Sequence, residues 1–425
     1  MIETERLPDA PRSFMNRFPA LRSRDYRLLW LGQGVSGIGS FMQVAALNWQ
    51  LYLLTGSALS LGMIGLFRVI PIVLLSLIGG AVADAWDRRK VMMVTQTVLM
   101  LNALALGLLT VTHHISAPII YLLTVVGGAA MAFDNPSRQS LIPRLVPRED
   151  LASALSLNSI VFRTSTIAGP VLAGLLIARG GIPITYFLNA ASFVAVFVAL
   201  VMMRPTPPTL SESGERSQVN LAALKEGLLF VMSTPLLVWT LWLDFFATFF
   251  SSASSLLPIF AKDILHVGPR GYGVLGAADA IGALLVGLWM SVAKPMHKQG
   301  RVVIWAVIVY GAATIVFGAS RSFALSLLAL AVVGGADAIS TILRQTIRQL
   351  MTPDRLRGRM TSVNMIFFMG GPQLGEFETG VAANLLGTPG AVILGGVACL
   401  ATVAWVAAKG TVLREYEFDA EAKIP

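Results

Sequence analysis

Apolar runs about 20 residues long, separated by short polar segments, fill almost the whole 425-residue chain. An α-helix of roughly 20 apolar residues crosses the ~30 Å hydrocarbon layer of a bilayer, so each run predicts a membrane span. The runs fall at 28–54, 59–82, 91–112, 117–137, 153–178 and 183–203, and again at 233–257, 272–293, 301–319, 323–346, 361–385 and 389–409. Between the two sets lies a polar stretch over 204–226, opening Arg204-Pro-Thr-Pro-Pro and continuing in Ser, Glu and Gly, the composition of a flexible linker. The expected organisation is an arm over 1–27, a six-helix bundle over 28–203, the linker, a second six-helix bundle over 227–409 and a tail over 410–425. The fold class is an all-α membrane protein of twelve transmembrane helices in two bundles.

The two sets also repeat one another. Gly128, Arg138-Gln139, Pro147, Asn158, Gly169 and Gly174 recur at one ungapped offset of 206 residues as Gly334, Arg344-Gln345, Pro353, Asn364, Gly375 and Gly380. A parallel repeat of this kind predicts two pseudo-symmetric bundles with any site between them.

Charge orients the bundles. Only 13% of the residues are charged, against roughly 25% in a soluble protein, so most of the surface faces something other than water. The net charge of +9 does not imply a nucleic-acid partner, because the basic residues sit in short segments between apolar runs. With both termini cytoplasmic, 26 of the 32 lysines and arginines fall on the cytoplasmic side and four, Arg179, Lys262, Arg270 and Arg321, on the other, as the positive-inside rule requires. The opening arm is polar, holds six arginines and lacks a small-residue cleavage site, which predicts that the first helix is retained. Cys399 is the single cysteine, and His113, His114, His266 and His297 lie near membrane edges with no shared face, so neither a disulfide nor a metal site is expected.

The loop between helices 2 and 3 reads Gly80-Ala-Val-Ala-Asp84-Ala-Trp-Asp87-Arg88-Arg89-Lys90. This resembles the loop signature of the major facilitator superfamily, with Ala85 where that family often has arginine and Asp87 where it often has glycine. The Asp87-Arg88-Arg89 form, Ser23-Arg24-Asp25-Tyr26-Arg27-Leu28-Leu29-Trp30, Asn135-Pro136-Ser137-Arg138 through Leu141-Ile142-Pro143, and Leu155 to Asn158 are similar to the enterobactin-exporter-like branch of bacterial efflux carriers. The resemblance spans residues 18 to 409 and implies a transporter of the bacterial inner membrane that works by alternating access. It also implies that helices 1 and 7 line the central pathway.

The loop motif has a physical reading of its own. Asp84 ends helix 2, where a carboxylate can accept hydrogen bonds from a neighbouring helix N-terminus, while Arg88 and Arg89 can pair with carboxylates or anionic lipid. Gly80, Asp84, Asp87, Arg88 and Arg89 would then latch the two halves together on the cytoplasmic side, or serve only as a topology anchor. Gly169-Pro170-Val-Leu-Ala-Gly174 in helix 5 resembles part of the helix-5 motif of drug:proton antiporters, and equally suits tight helix packing.

Ionisable residues inside a span cost about 2.5–3.5 kcal/mol on insertion scales and are functional candidates. They are Arg68, Arg163, Asp244, Asp279, Asp337, Glu376 and Glu378. An acid whose proton occupancy differs between the two faces is what proton coupling requires, and Asp279 heads that set, followed by Asp244, Glu376, Asp337 and Glu378. Arg68 and Arg163 would either form salt bridges or hold an anionic group. Helix 7 carries a polar stripe of Thr240, Asp244, Thr248, Ser251 and Ser255, and helix 1 a second of Gln33, Ser36, Ser40 and Gln43, which line a cavity or bond helix to helix. Phe245, Phe246, Phe249, Phe250, Phe367 and Phe368 are candidates for an apolar pocket.

An enzyme would need a catalytic constellation, and no nucleophile elbow, paired histidine or metal-ligand spacing is present. A channel would need a continuous polar pore, and a primary pump a phosphate-binding loop. The expectation is a monomer without cofactor that exports a small lipophilic molecule, drug or siderophore in exchange for protons, among membrane lipids. Import or lipid flipping by the same fold is the alternative.

Overall fold

The computed structural model describes residues 18–204, 221–293, 296–353 and 356–417. Among these, twelve long helices carry the chain: α1 (Arg24–Thr55), α2 (Ala58–Ala85), α3 (Arg88–Val111), α4 (Ala117–Leu145), α5 (Leu151–Gly180), α6 (Ile182–Met202), α7 (Pro235–Phe250), α8 (Gly268–Val292), α9 (Gln299–Ala319), α10 (Phe323–Met351), α11 (Arg357–Leu386) and α12 (Thr388–Lys409). Ten of the spans are long and apolar enough to cross a membrane, and α1 and α11 complete the bundle. A further helix, Leu221–Ser233, crosses the expected boundary between linker and helix 7. The rest of the linker, 205–220, lies outside the described residues, as do 1–17 of the arm and 418–425 of the tail.

Three helices depart from the expected spans. α4 continues past 137 to Leu145, and α10 past 346 to Met351. Arg138 and Arg348, outside the expected spans, therefore lie within helices, as does Arg344 at the end of one. Hydropathy treats an arginine as the end of a span, but a side chain with a buried partner can remain inside. The third departure is at helix 7, where a continuous span over 233–257 is expected. α7 stops at Phe250, and a 3-10 turn (Ala253–Leu256) and a π-helical stretch (Phe260–Ile264) carry the chain onward. Tertiary contacts replace the helical ladder at the break. The Ser252 hydroxyl donates to the Pro372 carbonyl at 3.0 Å, while Gly375 and Gly395 let α11 and α12 press on Phe249 and Phe250.

The same packing scheme occurs twice. In the first half α1 lies on α5 and α6, α2 on α4, and α3 on α4 and α6; in the second α7 lies on α11 and α12, α8 on α10, and α9 on α10 and α12. Two seams join the halves, α2 against α11 and α5 against α8. Glycine makes both possible. A Cβ on Gly62 would stand 3.0 Å from the Cα of Gly380, and one on Gly174 would stand 3.0 Å from the Cα of Gly273. Without side chains the backbones approach closely. Gly169 serves a different contact, packing α5 on Phe41 and Met42 of α1, while the Pro170 carbonyl faces Gly273.

Both crossings lie towards the end of the bundle opposite the basic loops. There one core runs across both halves: the Tyr272 hydroxyl donates to the Ala45 carbonyl at 3.0 Å, Trp49 stacks on Tyr272 at 5.2 Å, and Tyr52 donates to Asp263. At the basic end each half keeps its own core, Tyr26, Met92 and Leu141 in one and Leu243, Val303 and Ile347 in the other.

Close helix contact inside a half is equally demanding. A Cβ on Gly282 of α8 would collide with the Ala331 carbonyl of α10, whereas one on Gly287 meets nothing within 4 Å. Gly282→Leu is therefore expected to destabilise the protein by about 1–3 kcal/mol through overpacking, and Gly287→Leu to leave it unchanged. Thermal unfolding of the detergent-solubilised variants checks this.

Candidate functional site

The most deeply buried charges lie between α7, α10 and α11. Asp244 receives Arg344 Nη2 at 2.8 Å on one carboxylate oxygen and Arg348 Nη2 at 3.0 Å on the other, and all three side chains are buried. Arg348 also donates to Asn364, and Arg344 to the Thr341 hydroxyl at 3.2 Å. Asp337 completes the group. It accepts from Thr341 at 3.4 Å and lies within electrostatic range of Arg344. Neither arginine is among the ionisable residues singled out by hydropathy. The duplicated Arg-Gln pair was the available signal, because a loop arginine has little reason to recur at the repeat offset.

The first half carries a neutral version of this arrangement. Arg138 of α4 donates to Gln33 of α1 at 2.8 Å and to Asn135 at 2.6 Å. Arg138 and Arg344 are 206 residues apart, and Gln33 and Asp244 are 211 apart. The same helix pair thus holds Arg to Gln in one half and Arg to Asp in the other. Nearby Asp134, also absent from the sequence candidates, is buried and accepts from Thr95 at 2.8 Å and Gln96 at 2.9 Å.

A second set of charges flanks the seams. The offset of 211 that relates Gln33 to Asp244 also relates Gly62, Gly65 and Arg68 of α2 to Gly273, Gly276 and Asp279 of α8. Glu376 of α11 packs where Gly65 has no side chain, its Oε2 standing 3.1 Å from where a Cβ would be, and Arg68 acts on it electrostatically. Asp279 is within reach of both Arg163 of α5 and Asp337 of α10. Gly334 lets α10 approach Asp279 directly. Each seam therefore has an arginine on the first half and an acid on the second, on the basic side of its glycine crossing. Glu378 turns to another side of α11 and accepts from Thr379 at 3.3 Å.

The polar stripes point into their own halves. Ser40 and Gln43 line an internal cavity of about 110 Å³ with Arg68, Asn102, Thr124 and Asn189, and Gln43 accepts from Asn189 at 2.7 Å. Ser36 and Ser251 are buried. The hydroxyls of Thr240 and Thr248 donate to carbonyls of α7 itself, each at 2.8 Å. Among the aromatic candidates, Phe245 and Phe367 border an apolar cleft of about 390 Å³ and Phe246, Phe249 and Phe250 stack along α7. The Phe368 side chain lies outside the described residues.

A family described as transmembrane secretion effector, of the major facilitator group, matches residues 15–425. The chain belongs to that family. Its relatives include the multidrug efflux pump Tap of Mycolicibacterium fortuitum, 28% identical over 83% of this chain and 87% of the relative. The enterobactin exporter EntS of Citrobacter koseri is 27% identical over 85% and 86%. The fold is that of the inward-open xylose transporter XylE from E. coli (TM-score 0.70, 13% identity, 93% of this chain and 98% of that one). It is also that of an inward-facing bacterial homologue of the lysosomal transporter Spinster (TM-score 0.68, 15% identity, 92% and 96%).

In this secretion effector, a multi-pass membrane transporter and not an enzyme, the described contacts of the loop after α2 stay within the first half. Asp87 caps α3 by accepting from the Arg89 amide at 3.0 Å. Arg88 Nε donates to Ser140 of α4 and Arg89 Nη2 to the Val201 carbonyl of α6, both at 3.0 Å. Gly80 lies within α2, and the Asp84 side chain is outside the described residues.

Removing Asp244 leaves two buried guanidinium groups without their shared carboxylate. Asp244→Ala is expected to lower stability by about 3–5 kcal/mol, and adding Arg344→Met to restore part of it. A wild-type unfolding midpoint for the single variant would contradict this role.

Proposed function

We propose that the protein is a proton-coupled exporter of a small lipophilic molecule, working by alternating access in the bacterial inner membrane with both termini cytoplasmic. The division into bundles over 28–203 and 227–409, joined by the linker, belongs to this reading. So does the assignment of the basic end to the cytoplasm, from the excess of loop lysines and arginines. On that assignment the shared core and both glycine crossings close the outer end, and the state described is inward-facing. The exporters among the relatives support the direction.

The observation that carries the proposal is the sign of the charges by the seams: Arg68 and Arg163 on the first half act electrostatically on Glu376 and Asp279 on the second. Charges at this depth need compensation. With the outer end closed, each half neutralises the other. Opening the outer end moves the arginines away, and Asp244, Asp279, Asp337 and Glu376 are then left with Arg344 and Arg348, an excess of two negative charges. Protons from the outer side restore neutrality. When the seams close again, the arginines displace those protons, which leave towards the cytoplasm. Substrate moves outward during the opening half of the cycle, so protons and substrate travel in opposite directions.

Asp279→Asn removes one of the acids without changing its size. In reconstituted vesicles, extrusion of a lipophilic dye by the wild type should collapse when the proton gradient is dissipated. The variant should lose its dependence on the gradient while still inserting and binding dye. Wild-type extrusion that survives an uncoupler, or a variant with unchanged pH dependence, would contradict proton exchange at Asp279.

A further inference from the structure

We propose that the apolar cleft between α2 and α11 is a lateral portal through which a membrane-dissolved substrate reaches the interface between the halves. The inference rests on the export reading and adds the route and the physical state in which the substrate arrives. α2 and α11 touch at Gly62, Gly65 and Gly380, and the cleft opens beyond that contact on the basic side. Its walls are Ile70, Val73 and Leu74 of α2, Phe245 of α7, and Phe367 and Leu374 of α11, all apolar.

The depth of the cleft selects its occupant. The α2 wall, residues 69–74, lies at the middle of α2 (Ala58–Ala85), at the depth of the hydrocarbon core. Val73 and Leu74 are 57% and 67% exposed. An apolar surface at that depth is matched by hydrocarbon, whereas water there would find no hydrogen-bonding partner on the walls. A volume of about 390 Å³ falls in the range of pockets that take drug-sized ligands. Phe245 and Phe367 meet edge to face with centroids 6.1 Å apart, a surface suited to a flat or aliphatic body. Arg68 precedes Val69 in α2 and Glu376 follows Leu374 by two residues in α11, both towards the glycine contact and neither on the cleft wall, Arg68 lining the cavity of the first half instead. The portal therefore fits a flat or aliphatic apolar molecule taken from the hydrocarbon of the bilayer.

Gly370 keeps the portal wide. A Cβ there meets nothing within 4 Å, so a large side chain fills the cleft without displacing backbone. Gly287 of α8 has equally open surroundings and serves as the control. In proteoliposomes loaded with the bilayer-soluble dye rhodamine 6G, Gly370→Trp should lower extrusion at least about tenfold and Gly287→Trp leave it within about twofold. The indole of Gly370→Trp should be quenched by phosphatidylcholine brominated along its acyl chains and not by aqueous iodide. Wild-type extrusion by Gly370→Trp, or quenching by iodide in place of brominated lipid, overturns the portal. If the wild type moves no dye, the export reading fails for that dye, and the quenching result alone decides whether the cleft opens to lipid.

Discussion

Charge neutrality across the seam between the halves is the constraint on which the proposed transport cycle depends. A buried ion in a bilayer needs an opposite charge nearby. Asp244 meets that need inside one half, held by Arg344 and Arg348 at 2.8 and 3.0 Å, and its pairing can survive any rigid motion of that half. Asp279 and Glu376 lie by the interface, where Arg163 and Arg68 of the other half act on them electrostatically, and in the proposed cycle these arginines supply the compensation. Their compensation lasts only as long as the halves stay closed at that end. The first group holds a bundle together; in the proposed cycle the second links its movement to the supply of protons.

Glycine sets how closely the opposing charges can sit. Gly62 with Gly380, and Gly174 with Gly273, bring the backbones of opposite halves almost into contact. Arg68 of α2 and Asp279 of α8 then stand at equivalent places, 211 residues apart, whereas Arg163 and Glu376, 213 apart, match neither offset. The duplication explains this geometry: the same small-residue crossing is used twice, with arginine retained on one copy and a carboxylate on the other. The Gln33–Arg138 contact, with an uncharged acceptor, and its counterpart at Asp244 and Arg344, with a carboxylate, show the same divergence within the bundles.

Much of this was legible in the sequence. Hydropathy located all twelve spans, the offset of 206 residues exposed the repeat, and Asp279, Asp337, Glu376, Arg68 and Arg163 stood out as charges in apolar runs. What escaped was the partnered charge near a helix end. Arg138 and Arg348 fell outside the expected spans and Arg344 at the end of one, and their partners are remote in sequence, on α1, α7 and α11. The stripes of α1 and α7 were visible as stripes, but periodicity cannot say which neighbour a face meets. The break after Phe250 depends on Pro372, Gly375 and Gly395 from other helices, and local pattern carries no trace of them. The second offset, 211 residues, became apparent once Gln33 and Asp244 were seen holding equivalent arginines.

The most direct measurement is the distance between the two halves at the basic end as a function of pH. Spin labels on Glu149→Cys and Arg301→Cys, both exposed positions on opposite halves, in a Cys399→Ser background, report it by pulsed dipolar spectroscopy. Protonating the seam acids should free the outer end and shorten this distance as pH falls. Asp279→Asn combined with Glu376→Gln should show the short distance at every pH. A distance that ignores pH in the parent protein, or one that still responds fully once both acids are neutralised, would contradict the account.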